Sequence, residues 1–194
     1  DRPLLALTFL DPEVGCRGDV FTFDDARGSW VSTELDLPIE RVPQAEYIWP
    51  NRIGLDVAED GTVAVAFATQ ETLAIYARPL GERWRTLGAP PGFSEHGFRA
   101  RAELLFVGDT LHLAFDGAAP ASPREGQVAE SGVFYWIHED GRWRPAPETN
   151  EHGLFLEDGW LSSFDVDRCG RPAFATAFDR RPEEPLRVWT RERR

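Results

Sequence analysis

Along this chain, apolar and small residues alternate through short extended runs broken by Gly, Pro and Asp, and the runs themselves repeat. Arg2-Pro3-Leu4-Leu5-Ala6-Leu7-Thr8-Phe9 returns as Arg171-Pro172-Ala173-Phe174-Ala175-Thr176-Ala177-Phe178, and looser copies occupy residues 62–67 and 110–115. Each copy leads into a second run that carries an aromatic: Phe21 and Phe23, Tyr76, Phe134 and Tyr135, or Trp189. Three copies continue into a further run that opens on Trp30, Trp84 or Trp143. Alternation with a period of two marks strands with two distinct faces. The spacing predicts strands over residues 3–9, 20–24 and 30–35, then 53–58, 62–68, 73–77 and 84–87. It predicts further strands over 102–107, 111–115, 133–138 and 143–144, then 161–166, 172–178 and 186–190. Asp60-Gly61 and Asp140-Gly141 are expected to turn hairpins, because Gly accepts the positive φ that such turns require.

A unit of this kind buries both of its apolar faces only by stacking on neighbours, so the period predicts the architecture. The expectation is an all-β fold, a β-propeller of about four blades over residues 1–45, 46–92, 93–148 and 149–194. The opening blade lacks its first strand and the closing blade its last, and by register these deficits do not complement each other. Two forms remain open: a four-bladed ring with two trimmed blades, or an arc of a larger ring completed by a second chain or a missing segment. A β-sandwich also alternates short strands with turns, but sandwiches rarely repeat their strand sequences.

Composition narrows the partners. A formal net charge of -12 argues against nucleic acid and anionic membranes, which call for clustered cationic side chains. Every one of the 21 basic residues is Arg, and Met is absent, so the numbered chain reads as a processed or fragmentary form of its translation product. No apolar run reaches the roughly 18 to 20 residues needed to span a bilayer, and no basic-then-apolar leader is present. The expectation is a soluble chain with no cofactor, exported as a secreted or periplasmic protein.

Gly61-Thr62-Val63-Ala64-Val65-Ala66-Phe67, Leu73-Ala74-Ile75-Tyr76-Ala77 and Gly81-Glu82-Arg83-Trp84 together resemble the repeat of bacterial sialidase-like (BNR-like) β-propellers. That repeat reads roughly G-x-P-x-h-A-Y, L-x-Y-A, G-x-x-W, and the similarity covers nearly the whole chain in repeating form. The resemblance implies a fold rather than an activity, since the group includes glycosidases, lyases, lectins and scaffolds. The S-x-D-x-G-x-x-W box of true sialidases does not occur. Sialidase chemistry would imply Arg side chains before the first strand of successive blades, with a Tyr–Glu pair as nucleophile. Arg52 and either Arg99 or Arg101 stand in such places, but Trp160 stands where the last blade would need Arg. Tyr47 beside Glu46 would point to opposite faces of a strand.

Other candidate chemistry comes from the residues themselves. Asp56 and Asp165 occupy equivalent first-strand positions and could divide into acid and base if their environments differ, although an Asp there more often caps a turn. Ser94-Glu95-His96-Gly97 and Asn150-Glu151-His152-Gly153 share a Glu-His-Gly core between successive blades, and are expected on the loop rim where such folds bind. A turn is the leading role for these segments. A metal held by His96 and His152 is the weaker one. Trp49, Asn51 and Arg52 combine an indole with hydrogen-bonding groups, which suits stacking on a sugar ring. The insertion at residues 116–131 is expected to be an irregular loop.

His112 and His138 fall within strands as hydrogen-bonded packing residues, and Trp30, Trp84 and Trp143 are expected in the core. Cys16 and Cys169 are placed on opposite rims, too far apart for a disulfide. The sequence thus points to a non-catalytic module that binds a glycan or protein through Trp49, Asn51, Arg52, Glu95, His96, Glu151 and His152. A glycosidase or lyase using Asp56 and Asp165 is the alternative, and a scaffold within a larger ring is the third reading.

Overall fold

The computed structural model describes residues 3–11, 15–33, 35, 53–68, 73–91, 97–118, 131–157, 160–167, 169–177 and 187–190. Every regular element among them is a strand, and the strands form four antiparallel sheets in chain order. The first sheet holds β1 (Leu4–Asp11), β2 (Gly15–Asp24) and β3 (Ser29–Ser32). The second holds β4 (Ile53–Val57), β5 (Val63–Ala68), β6 (Leu73–Arg78) and β7 (Arg85–Thr86). The third holds β8 (Gly97–Val107), β9 (Thr110–Ala118), β10 (Ser131–Glu139), β11 (Arg142–Pro145) and β12 (Leu154–Glu157). The fourth holds β13 (Trp160–Val166), β14 (Pro172–Ala177) and β15 (Arg187–Thr190).

Turn chemistry falls where the sequence places it. Asp140 and Gly141 both take positive φ, 51° and 74°, between β10 and β11. Gly61 takes φ 84° in a loop that Ala58 and Thr62 close by a backbone hydrogen bond of 2.9 Å. Strand β12 is the departure from expectation in the third repeat. It pairs with the first half of β10, while β11 pairs with the second half, so the two share one edge. Pro145 and Pro147 explain the interruption, since neither has an N–H to donate to the ladder.

Side-chain alternation decides how the sheets stack. Val65 and Phe67 of β5 pack toward the first sheet with Val20, Leu35, Leu4 and Ala6. Ala64, Ala66 and Ala68 of the same strand face the third sheet and are filled by Leu111, Leu113 and Phe115 of β9. Ala114 of β9 turns the other way, joining Val133 and Tyr135 against Leu161, Phe164 and Phe174 of the fourth sheet. At each junction the earlier sheet therefore offers alanine from one strand, and the later sheet fills the space with a large residue.

The sheets approach most closely along their first strands, β4 against β8 and β8 against β13. A Cβ on Gly54 would stand 2.9 Å from the Leu104 backbone nitrogen and 3.1 Å from the Ala102 carbonyl oxygen. Only glycine permits two backbones this near. At the far side of each sheet the repeated tryptophans bridge neighbours. The Trp84 indole donates to Thr33 Oγ1 at 3.1 Å, and the Trp143 indole donates to the Leu87 and Gly88 carbonyls at 3.2 and 3.1 Å. Trp30 departs from its expected core position, with 44% of its surface exposed. It lies on the face of the first sheet that no other sheet among the described residues covers.

Candidate functional site

The two ends of the stack differ. Strands at one end are joined by the segments 25–28, 58–62, 79–84, 108–109, 140–141 and 167–171. At the opposite end stand the strand termini separated by the longest stretches of sequence, 33–52, 87–96, 119–130 and 178–186.

At that loop-bearing end, both first strands of the last two sheets are bulged. In β8, Phe98 is opposite Gly117 and Ala102 opposite Phe115, so residues 99–101 face Asp116 alone. In β13, Leu161 is opposite Thr176 and Ser163 opposite Ala175, which leaves Ser162 outside the ladder. Bulges of this kind re-aim side chains and interrupt pairing. Here they are tied together by charge. Arg101 donates from Nε and Nη2 to Glu103 Oε1 at 2.9 and 2.5 Å, and from Nη1 to the Leu161 carbonyl at 2.8 Å. Glu103 Oε2 accepts the Phe164 N–H at 2.7 Å, and the buried Asp116 carboxylate accepts the Leu161 N–H. Charge-assisted bonds to a backbone are stronger than neutral ones, so the Ser162 bulge is fixed on both sides.

The roles of Glu103 and Asp116 escaped the sequence reading. The available signal was an acid set inside an apolar strand run, Ala102-Glu103-Leu104 and Phe115-Asp116. Arg101, one of two candidates for the arginine that sialidase chemistry would imply in the third blade, is committed to Glu103 and the Leu161 carbonyl. Arg99 lies in β8, but its side chain is outside the described residues, as are Glu46 and Tyr47.

Trp49, Asn51, Arg52, Glu95 and His96 lie outside the described residues. Glu151 and His152 are exposed neighbours, with Oε1 and Nε2 3.5 Å apart. Their loop leaves and rejoins the edge of the third sheet opposite Tyr135, whose N–H donates to the Gly153 carbonyl at 2.8 Å and whose carbonyl accepts the Ala146 N–H at 3.2 Å. This sets Glu151 and His152 midway along a sheet edge rather than at the loop-bearing end, because β12 resumes the strand beyond them. The segment is an Asn-initiated turn. Asn150 Oδ1 accepts the N–H groups of His152 and Leu154 at 2.9 Å each, and Gly153 at φ 77° packs on the Trp136 indole. Among the described residues, no three His, Cys, Asp or Glu side chains gather as a metal site.

Asp56 and Asp165 both lie near the tight-turn end, beside the loops at 58–62 and 167–171. The Asp56 carboxylate accepts the Phe106 N–H of the next sheet at 2.6 Å. Asp165 is exposed, and its Oδ1 accepts the adjacent Val166 N–H at 2.8 Å. The exposed Cys169 is a free thiol, while the side chain of Cys16, on β2 opposite Leu10, is outside the described residues.

His112 and His138 pack as the sequence predicts. His112 Nδ1 and the Tyr135 hydroxyl lie 2.6 Å apart in the interior. Burial, reinforced by the nearby Arg144 guanidinium and opposed by Glu139, pushes the His112 pKa down to about 4, and burial raises that of Tyr135. His138 meets the Trp143 ring edge-on, centroids 4.9 Å apart.

Among solved structures, a thermostable family-43 glycoside hydrolase is similar to this chain at 11% sequence identity and a TM-score of 0.47, over 100% of this chain and 69% of that one. No protein-family model matches the chain, and no curated protein matches it. A likeness of that depth transfers no residue role.

Proposed function

We propose that the four sheets are blades of a β-propeller, as a ring or an arc of one, and that the chain is a non-catalytic module binding a glycan or a protein through its loop-bearing end. The observation that carries this reading is the asymmetry of the stack, with the longest connections at one end and the tight turns at the other. Binding residues concentrate on loops held by a rigid scaffold. The Arg101–Glu103–Asp116 cluster supports it further, because it makes the scaffold rigid at that same end. The contact residues of the proposal are Trp49, Asn51 and Arg52, which precede β4 in the chain, with Glu95 and His96, which precede β8. Glu151 and His152 would contribute only to a ligand broad enough to reach the outer edge of the third sheet.

The placement of Asp56 and Asp165 weighs against the enzyme alternative, since both lie toward the tight-turn end and Asp56 is spent on the Phe106 N–H. A glycan array probed with wild type and Trp49→Ala tests the reading, with the expected result a sugar signal that the substitution removes. A blank array would eliminate the glycan form. Turnover of aryl glycosides that is lost in Asp165→Asn would replace the binding module with a hydrolase.

A further inference from the structure

We propose that His112 and Tyr135 form an acid-sensitive latch in the junction between the third and fourth sheets, where one proton taken up by His112 favours opening of that junction and release of the segment 146–153 while the rest of the stack stays folded. The inference goes beyond the loop-end reading and does not depend on it.

The fold itself does not call for this pair. In the second sheet the same two places are filled by Ala64, opposite Ala77, and Ile75, opposite Ala66. In the third, His112 is opposite Ile137 and Tyr135 opposite Ala114. Ala64 and Ile75 are buried in an apolar core against the following sheet, and His112 and Tyr135 are buried at the next junction along. Placing two polar side chains where an aliphatic pair already serves costs stability, and such departures from a packing pattern concentrate where a protein has a task to perform.

The pair is satisfied in one protonation state only. His112 Nδ1 and the Tyr135 hydroxyl lie 2.6 Å apart. The neutral tautomer that suits both groups leaves Nδ1 bare to accept the hydroxyl proton. A protonated ring must donate there instead, and the hydroxyl proton is turned toward Phe164 and Phe174, whose ring centroids stand 5.3 and 5.5 Å from that of Tyr135. A hydroxyl proton without an acceptor and an imidazolium in an apolar core both cost free energy that opening to water removes.

The surroundings reinforce this. Burial disfavours the charged ring first, the Arg144 guanidinium of β11 adds to it, and Glu139 of β10 opposes both, while Glu148 acts on Tyr135. The fourth sheet meets the pair with Leu161, Phe164, Val166 and Phe174, and β8 sets Leu105 opposite His112. Arg101, Glu103 and Asp116 lie toward the loop-bearing end of the same junction, bonded as described above. His138, whose pKa is lowered by burial and then by Arg85, lies on the other face of the third sheet against Trp143. Tyr135 carries the effect outward. Its N–H donates to the Gly153 carbonyl and its carbonyl accepts the Ala146 N–H, so both ends of the segment bearing Glu151 and His152 hang on this residue.

Amide hydrogen exchange of wild type and His112→Gln between pH 7 and 5, corrected for intrinsic rates, tests the latch in a range where exposed carboxylates stay largely ionised. The Leu161 and Phe164 amides are donated across the junction, the Ala146 amide to Tyr135, and the Phe106 amide across the preceding junction. Because the closed ring titrates at about 4 and an exposed one at 6.5, the first three amides of wild type should lose about twentyfold in protection, and Phe106 less. The loss should set in near pH 6.5 and approach tenfold per pH unit, the signature of a single proton. Gln keeps a hydrogen-bonding group at position 112 without titrating, so His112→Gln should abolish the loss. If that variant does not fold, the double substitution His112→Ala with Tyr135→Ile, which copies the second sheet, should do the same. Protection in wild type that ignores pH would overturn the proposal, as would an equal loss in the variant or an equal loss at Phe106.

Discussion

Burial holds His112 neutral beside the Tyr135 hydroxyl, and this ties the stability of the third and fourth sheets to pH. The folded imidazole has a pKa of about 4 against 6.5 for an exposed one. Between those values the unfolded chain binds a proton that the folded chain refuses. The contribution is therefore intact above about pH 6.5 and falls by about 3 kcal/mol as pH drops toward 4. An NMR titration of the His112 ring checks it directly, and a midpoint near the exposed value would contradict the burial described. Gly54 makes a second residue-scale prediction. Its hydrogen faces the backbone of β8, so Gly54→Ala must push two strands apart, and the expected cost is about 1–3 kcal/mol in urea denaturation. An unchanged midpoint would mean that the strands are not so close.

At the scale of elements, the first strands are joined by acids of one sheet that accept N–H groups of the next: Asp56 to Phe106, Glu103 to Phe164 and Asp116 to Leu161. Replacing Asp56 by Leu leaves the Phe106 N–H without its acceptor and should cost about 1–2 kcal/mol, whereas Asp56→Asn keeps an acceptor and should cost less. Thermal denaturation of the pair distinguishes this capping role from one in which the negative charge itself matters, where Asn and Leu would be equally harmful. The strands and glycine turns were legible in the sequence because their determinants are local: alternation of period two, and Gly61 and Gly141 where φ must be positive. The capping acids were not, because the partner of Asp56 is a backbone group 50 positions away. Asp56 and Asp165 look alike in sequence, yet among the described residues Asp56 accepts an N–H of another sheet while Asp165 accepts that of its own neighbour Val166. The Glu151-His152 segment was misplaced for a related reason, since β12 resumes the edge beyond it and moves the loop off the end of the stack.

For the whole molecule, the repeat predicts an all-β stack of sheets, and the alternation of large and small residues explains why the described sheets stack in chain order. Alternation shows that a strand has two different faces, but not what covers each. Trp30 reads like Trp84 and Trp143 and is nonetheless exposed, because among the described residues no sheet packs on its face of the first sheet. The packing order also predicts unequal penalties. Phe174→Ala empties the centre of the junction between the third and fourth sheets, where its ring meets Tyr135, Phe155 and Phe164, and should cost about 3–5 kcal/mol, while Val188→Ala at an exposed position should change stability little. The serial order of the sheets is the claim on which the binding end depends. Methyl-selective NOE spectroscopy tests it most directly. Cross-peaks are expected from Ala64 and Ala66 to Leu111 and Leu113, and from Val65 to Val20, with none from first-sheet methyls to the third sheet. Cross-peaks joining the first sheet to the third would describe two facing layers and would contradict it.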